Sequence, residues 1–282
     1  MKKLIKNLIQ NIIRIGGYTK LGKFLYESII IFQTNNYSDV RHRNLDFKFL
    51  ISNQLNKFRV ETFSTKEPET LEWIDAMEDG SVLWDVGANI GLYSCYAAKA
   101  KKCNVYAFEP SVFNLESLAK NIYINSLEDS IRIVPIPLTN SKKFDYLNMG
   151  TESWGGALSS FGENYGWDGK PIKKIFNYQL LGMSIDEIIE LLKIQNPDYI
   201  KIDVDGIEHL ILEGAAKTLK NVRSILIEVN DNFYEQSNKC NEYLLGAGFV
   251  MIEKRHSEMF NSIESFGGGV VWNQIWARES MK

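Results

Sequence analysis

Cysteine is scarce. Cys95, Cys103 and Cys240 are three in 282 residues, too few and too scattered for a disulfide framework or a thiolate zinc site. An odd number of free thiols suits a reducing cytosol, and Cys95 reads as a small core residue. No stretch approaches the length and apolarity of a membrane span. A dominant charge sign is also missing, and a net charge of −3 gives no global reason to expect a nucleic-acid partner. Internal repeats and low-complexity tracts are absent. What is present is globular material, 45% apolar and 12% aromatic, which argues against disorder and allows a sizeable core.

The N-terminus, MKKLIKNLIQNIIRIGG, has a basic start but no signal-peptide core. Lys6, Asn7, Gln10, Asn11 and Arg14 interrupt it, and no small-residue cleavage site follows. From Lys2 to Phe32 six basic residues face one acid, Glu27, while Leu4, Leu8, Ile12 and Ile15 repeat at helical spacing. Such a basic amphipathic helix can lie on an anionic membrane surface, or pack on the main domain or a partner subunit. Residues 1–55 are therefore expected to be a helical extension and 56–282 the main domain. The expected location is the cytoplasm, at the inner face of the membrane if the helix docks there.

Periodicity then sets the order of elements. Phe47–Phe63 alternates enough to predict one or two strands. Thr65 or Lys66 opens a helix with Pro68 in its first turn, and Gly80 ends that helix just before a strand at Val82. Strands at Val82–Asp85, Val105–Phe108, Ile131–Leu138, Tyr199–Val204 and Ile225–Val229 alternate with helices. Those helices run to about Ala100, over Val112–Ile124, over Ser184–Ile194, from about Ile207 to Leu219, and over Phe233–Leu245. A hairpin strand is expected at Phe144–Leu147, a long loop at Thr151–Lys170, and closing strands at Phe249–Glu253 and Val270–Ala277. This is an α/β pattern: a Rossmann-like, seven-stranded, mostly parallel sheet with a C-terminal antiparallel hairpin.

The stretch SVLWDVGANIGLYS (Ser81–Ser94) is a strand ending in an acid, then a glycine turn, then a helix, which makes a nucleotide cradle. Dinucleotides are disfavoured, because the turn lacks G-x-G-x-x-G and Asp85 sits where a pyrophosphate would approach. Glu109 ends the second strand, where such sites hold ribose hydroxyls. Acid, glycine turn and acid together fit S-adenosylmethionine, whose ammonium and sulfonium are positive.

The run from about Phe58 to Ala277 resembles the FkbM family of S-adenosylmethionine-dependent methyltransferases. The matching pieces are RVETFSTKEPETLEWID (Arg59–Asp75), LWDVGANIGLYS (Leu83–Ser94), AFEPSVFNLESLAKNIYIN (Ala107–Asn125), YIKIDVDGIEHLILEGA (Tyr199–Ala215) and LIEVN (Leu226–Asn230). One departure is Asp205, where the family more often has Glu. The resemblance implies a class I methyltransferase fold with Asp85, Gly87, Asn89 and Gly91 around the methionine part of the cofactor. It also implies Glu109 on the ribose, Asn114 or Asn125 near the adenosine, and a site role for Glu67 beside plain helix-dipole complementation. Asn121 and Asn125 also read as helix C-terminal caps.

Methyl transfer needs an aligned nucleophile, exclusion of water and removal of a proton from a hydroxyl acceptor. Asp203 and Asp205 end the fourth strand, with Glu208 and His209 in the next helical turn. Asp203 is the first catalytic candidate, and Glu208 or His209 the base. The plainer readings are a dipole acid for Glu208 and a core histidine for His209. His256 is a further candidate after the sixth strand. Asp203, Asn230 and Asp231 are the residues that would offer oxygen ligands to Mg²⁺, although a divalent metal is not expected. Asn196-Pro197-Asp198-Tyr199 looks like an amine-methylating N-P-P-Y box but precedes its strand, so it reads as a turn. Trp154, Phe161, Tyr165 and Trp167, followed by Asp168, suit a carbohydrate under a mobile loop, with Ser257–Gly269 as an opposite wall. The resemblance favours O-methylation of a sugar in a surface polysaccharide or glycosylated metabolite. The alternatives are an N-methyltransferase on a small amine and a non-catalytic cofactor-binding scaffold.

Overall fold

Val82 to Val86 are all buried, the charged Asp85 included. A strand covered on both faces has no solvent-facing position to fill, so it reads as a continuous apolar run. That run lies in the interior of the main sheet. A computed structural model describes residues 2–256 and 271–278. Two helices, α1 (Lys2–Gly16) and α2 (Lys20–Thr34), lead into a hairpin of β1 (Tyr37–His42) and β2 (Leu45–Leu50), then α3 (Gln54–Glu61) and α4 (Pro68–Asp75). The first alternating half is β3 (Val82–Val86), α5 (Leu92–Lys101), β4 (Asn104–Phe108), α6 (Val112–Ile124) and β5 (Ile131–Val134). An insertion follows, made of β6 (Lys143–Met149), β7 (Ser159–Phe161) and β8 (Phe176–Gly182). The second half is α7 (Ile185–Leu192), β9 (Tyr199–Ile202), α8 (Glu208–Glu213), β10 (Ser224–Asn230), α9 (Tyr234–Gly246), β11 (Phe249–Arg255) and β12 (Val271–Arg278).

The main sheet has seven strands in the order β11-β12-β10-β9-β3-β4-β5. Pairings among β10, β9, β3, β4 and β5 are parallel, whereas β12 is antiparallel to both β10 and β11. The fold is therefore the expected Rossmann-like α/β sheet. The chain leaves β3 toward β4 and β5 and returns on the other side at β9. That reversal opens a crevice at the carboxyl ends of β3 and β9, where ligands of such sheets bind.

Alternation along β3 divides the core in two. Val82, Trp84 and Val86 face a layer with Phe108, Ile188, Leu212, Leu244 and the insertion's Leu147 and Phe161. Leu83 faces the other way, toward Trp73, Tyr96 and Leu118 and the hairpin's Phe47 and Phe49.

The differences from the sequence reading have local causes. Phe47–Phe63 is one strand and then a helix, because Asn53 caps α3, accepting the Asn56 amide at 2.7 Å. The strand begun at Ile131 stops at Val134, where Pro135 and Pro137 cannot donate to a ladder. The helix expected to reach Leu219 ends at Glu213, before Gly214, and a short 3₁₀ turn covers Thr218–Lys220. Thr151–Lys170 contains β7, and β8 was not anticipated; with β6 they form a three-stranded antiparallel sheet in the order β7-β6-β8.

Asn121 and Asn125 tie the hairpin to this framework. Asn121 Oδ1 accepts the Leu50 amide and its Nδ2 donates to Ile90 O, both at 2.7 Å. Asn125 occupies the α6 C-cap position, and its amide bonds both the N–H and the carbonyl of Lys48. Asn121→Ala strands two backbone groups at a buried position, so it should lose about 2 kcal/mol of stability in urea denaturation. A loss below about 0.5 kcal/mol would show that water replaces those bonds.

Candidate active site

The glycines of the turn are set by close approach. A Cβ on Gly87, where φ is +86°, would fall 1.8 Å from the carbonyl oxygen of Asp203. The turn after β3 therefore presses on the end of β9, and the Asp203 amide completes the contact by donating to Val86 O at 3.0 Å. Gly91 begins α5 at φ +83°, where a Cβ would meet Leu118 Cδ1 at 2.4 Å.

Around this turn the acids take distinct places. Glu109 is buried at the end of β4, its Oε2 accepting the Asn89 amide at 2.8 Å and its Oε1 the Ser111 amide at 2.7 Å. Burial nonetheless pushes its pKa up to about 7. Lys201 is buried on β9; its Nζ donates to Asp203 Oδ2 at 2.8 Å and stands 3.9 Å from Asp85 Oδ1. Burial opposes that charge, but Asp203, Asp85 and Glu67 override it and hold the lysine above its ordinary value. Glu67 precedes α4 without capping it and pairs with Lys66. Burial works against ionising Glu67 and Asp203; Lys66 and Lys201, respectively, outweigh it and keep both below the usual carboxylate range.

A cavity of about 690 Å³ lies over the carboxyl ends of the central strands. Glu67, Gly87, Asn89, Glu109, Asn114, Asp203 and His256 line it together with Asp205 and Glu228. Leu158, Phe161 and Trp167 form the facing wall. Thr151–Ser159 is stitched across it. Asn114 holds Gly155 N and Gly156 O, Asn89 Nδ2 also reaches Gly156 O, Arg59 Nε reaches Gly155 O, and Asn53 reaches Trp154 O. Asp205, in the left-handed region at φ +63°, accepts the amides of Leu158 and Ser159. Its pKa is pushed up to about 6 by burial and by Asp203.

Several expected site residues lie elsewhere. Asp85 and Gly91 do not line the cavity; Asp85 turns to α5, where its Oδ2 accepts the Ser94 hydroxyl at 2.6 Å. Glu208 and His209 do not line it either. The Glu208 carboxylate folds back onto the amides of Val204 and Gly206 and onto Gln236, and burial raises its pKa to about 7. His209 is buried edge-on to Phe233 at 6.0 Å, and burial lowers its pKa. His256 does face the cavity, packed against Trp272 with ring centroids 4.4 Å apart. Of the aromatic series only Phe161 and Trp167 line the wall. Trp154 reaches Glu116, Tyr165 packs on Phe233, and Asp168 pairs with Lys170.

The Asp203–Asn230–Asp231 set is not assembled, because both Asp231 oxygens bond Lys254 while Asn230 spans Trp167 O and the Asn232 amide. Among the described residues no three His, Cys, Asp or Glu side chains are grouped to hold a metal ion. Asn196–Asp198 leads into β9, which begins at Tyr199, at the amino end of the sheet, with Asp198 Oδ2 accepting the Val82 amide at 2.9 Å. Ser257–Gly269 lies outside the described residues. Sequence reasoning passed over Glu228, whose carboxyl burial and the nearby Asp203, Glu67 and Asp205 raise well above its usual value. Its signal was a lone acid inside the apolar strand Ile225–Val229, as Lys201 was a lone base inside Tyr199–Ile202.

Residues 85–266 match the methyltransferase FkbM domain family. The chain belongs to this family. A curated relative is the hexuronic acid methyltransferase AglP of Haloferax volcanii, 28% identical over 158 residues, which are 56% of this chain and 59% of the relative. The FkbM chain thus spans less than two thirds of that relative's length. Similar solved structures include a methyltransferase FkbM from Methylobacillus flagellatus KT, 16% identical over 71% of this chain and 44% of that one, with a TM-score of 0.49. Another is TYW2 of M. jannaschii in complex with AdoMet, 15% identical over 86% of each chain, with a TM-score of 0.45.

Gly87→Ala should lower stability by at least about 2 kcal/mol, combining a left-handed φ with the clash on Asp203 O. A melting temperature equal to wild type would refute the close approach. Glu109 gives a pH signature. Below about pH 4.5 its carboxyl is protonated folded and unfolded, so it contributes no slope. Between about 4.5 and 7 only the folded state keeps the proton, so rising pH erodes stability, by up to about 3 kcal/mol, and the loss then levels off. Glu109→Gln should remove that slope in urea melts across the range. An unchanged slope would place the titration elsewhere.

Proposed function

We propose that this cavity binds S-adenosylmethionine and that the protein transfers a methyl group to a hydroxyl of a sugar. The observation that carries the reading is the gathering of the Gly87 turn, Glu109, Glu67 and Asp203 around one cavity. The residues suit that cofactor. Asn89 Oδ1 is buried without a hydrogen-bond partner among the described residues, and the Glu109 carboxylate, which accepts the amides of Asn89 and Ser111 and the Asn114 side chain, has four lone-pair sites and so keeps acceptor capacity for a hydroxyl. Glu67 and Asp203 carry the negative charge that a cationic ligand needs, and the Gly87 backbone lets it approach. When bound, the cofactor supplies an electrophilic methyl group on sulfur.

The chain's own work is binding, water exclusion and proton removal. Glu109 accepts the ribose hydroxyls, while Glu67 and Asp203 hold the charged end. The strap of Thr151–Ser159 keeps water out. Asp203 stays in the site. The base role passes from Glu208 and His209, which face away, to Glu228, a cavity-lining carboxyl that burial and the neighbouring acids hold well above its usual value and so favour as a proton acceptor. Trp167 offers an apolar face to a sugar ring, and the Haloferax relative's action on a hexuronic acid supports a sugar acceptor. An acid-rich cavity discourages phosphate-bearing acceptors, in keeping with no nucleic-acid partner. Residues 56–282 form the methyltransferase domain in this reading and 1–55 its extension, whose hairpin packs on it.

Calorimetric titration of S-adenosylmethionine should show one site. Glu109→Ala and Asp203→Ala should each weaken binding by roughly tenfold or more, and affinity should rise as pH climbs through about 7 and Glu109 ionises. No heat from the wild-type protein would sink the proposal. Mass spectrometry of surface glycans from a deletion strain should show missing methyl groups, and unchanged glycans would remove the sugar assignment.

A further inference from the structure

The N-terminal helices display apolar surface that is exposed among the described residues. On α1, Leu4, Ile5, Leu8, Ile9, Ile12 and Ile13 are each half or more exposed and spread over one half of the helix. Lys6, Asn7, Gln10, Asn11 and Arg14 occupy the other half or its border. The pattern is geometrically fixed by the turn. Thr19 caps α2 through the Gly22 amide, and a Cβ on Gly22 would lie 1.9 Å from Gly16 O, so the two helices meet backbone to backbone. On α2 the run Ile29, Ile30, Ile31 and Phe32 is exposed at every position, which at 100° per residue circles most of the helix. Gln33 and Lys120 join the end of α2 to the main body through Ser52 O and Thr34 O.

We infer that α1 and α2 form a docking element for an anionic phospholipid surface. Two features favour that occupant. The first is charge: exposed Lys6 and Arg14 lie on the polar half of α1 and exposed Lys20 and Lys23 in the first turn of α2, and Lys2–Phe32 holds six basic residues and one acid in a chain whose net charge is −3. A basic, strongly amphipathic helix of low overall hydrophobicity lies in the headgroup boundary with its apolar half immersed. The second is shape. A protein groove covers one side of a helix, whereas exposed apolar residues through the turn Ile29–Phe32 of α2 suit a medium that surrounds it. A second copy of this chain would bring the same cations face to face, which disfavours it as the cover. No described helix is long and apolar enough to cross a membrane, so the contact is a surface one.

The test is flotation of the whole protein with phosphatidylcholine vesicles, alone or mixed with phosphatidylglycerol. It should float with the mixed vesicles and at least tenfold less with phosphatidylcholine alone. Lys6→Gln with Arg14→Gln should weaken partition roughly fivefold for each charge removed. Ile9→Glu with Ile12→Glu should abolish it, with the main thermal transition unchanged, because all four side chains are exposed. Equal flotation on both vesicles, or none on either, overturns the inference. So does a dimer in light scattering that Ile9→Glu dissociates while vesicles leave the protein behind, since a second copy would then cover the face.

Discussion

A buried ammonium joins the strands on either side of the crevice. Lys201 of β9 sits between Asp203, two residues on and just past the end of its own strand, and Asp85 of the neighbouring β3. A lysine with so little contact with water keeps its charge only while carboxylates surround it, and those carboxylates keep theirs only while the lysine is there. The group therefore fixes the register in which Gly87 can press on the Asp203 carbonyl. The cradle, the end of β9 and the acidic floor of the cavity all follow from that contact.

Above this floor a second layer of polar bonds decides the shape of the cavity. Asn53, Arg59, Asn89, Asn114 and Asp205 all bond the backbone of one short strap. Asn114 and Asn89 stand on the elements that follow β4 and β3, and Asn53 and Arg59 belong to α3 and its cap. The strap thus links the N-terminal part of the protein to both halves of the sheet. It turns an open crevice into a partly enclosed site in which buried carboxyls titrate near neutrality.

The framework was legible in the sequence because it rests on local period and punctuation. The buried runs of β3, β4, β9 and β10, the glycine turn and the proline at the start of α4 each carry their own signal. Glu109, Glu67 and Asp203 were found because they end strands or precede a helix. Side-chain direction was not legible. Glu208 and His209 stand in the first turn after β9, where position favours a site role, yet one folds back on backbone amides and the other packs into the core. Asp85 is hidden for the same reason: on a strand covered on both faces, an acid can point to either side. Glu228 was passed over since its strand reads as pure core. Asn53 hid a helix behind an alternating stretch, as a capping side chain outweighs a weak period-two pattern.

The central claim is that Glu109, the Gly87 turn and the Glu67–Asp203 pair together form one cofactor site. A crystal structure with S-adenosylhomocysteine tests it most directly. The account predicts the ribose hydroxyls on the Glu109 carboxylate, the backbone of Gly87 against the ligand, and the amino-acid end toward Glu67 and Asp203. Ligand bound with its ribose away from Glu109, or outside this cavity, would contradict it.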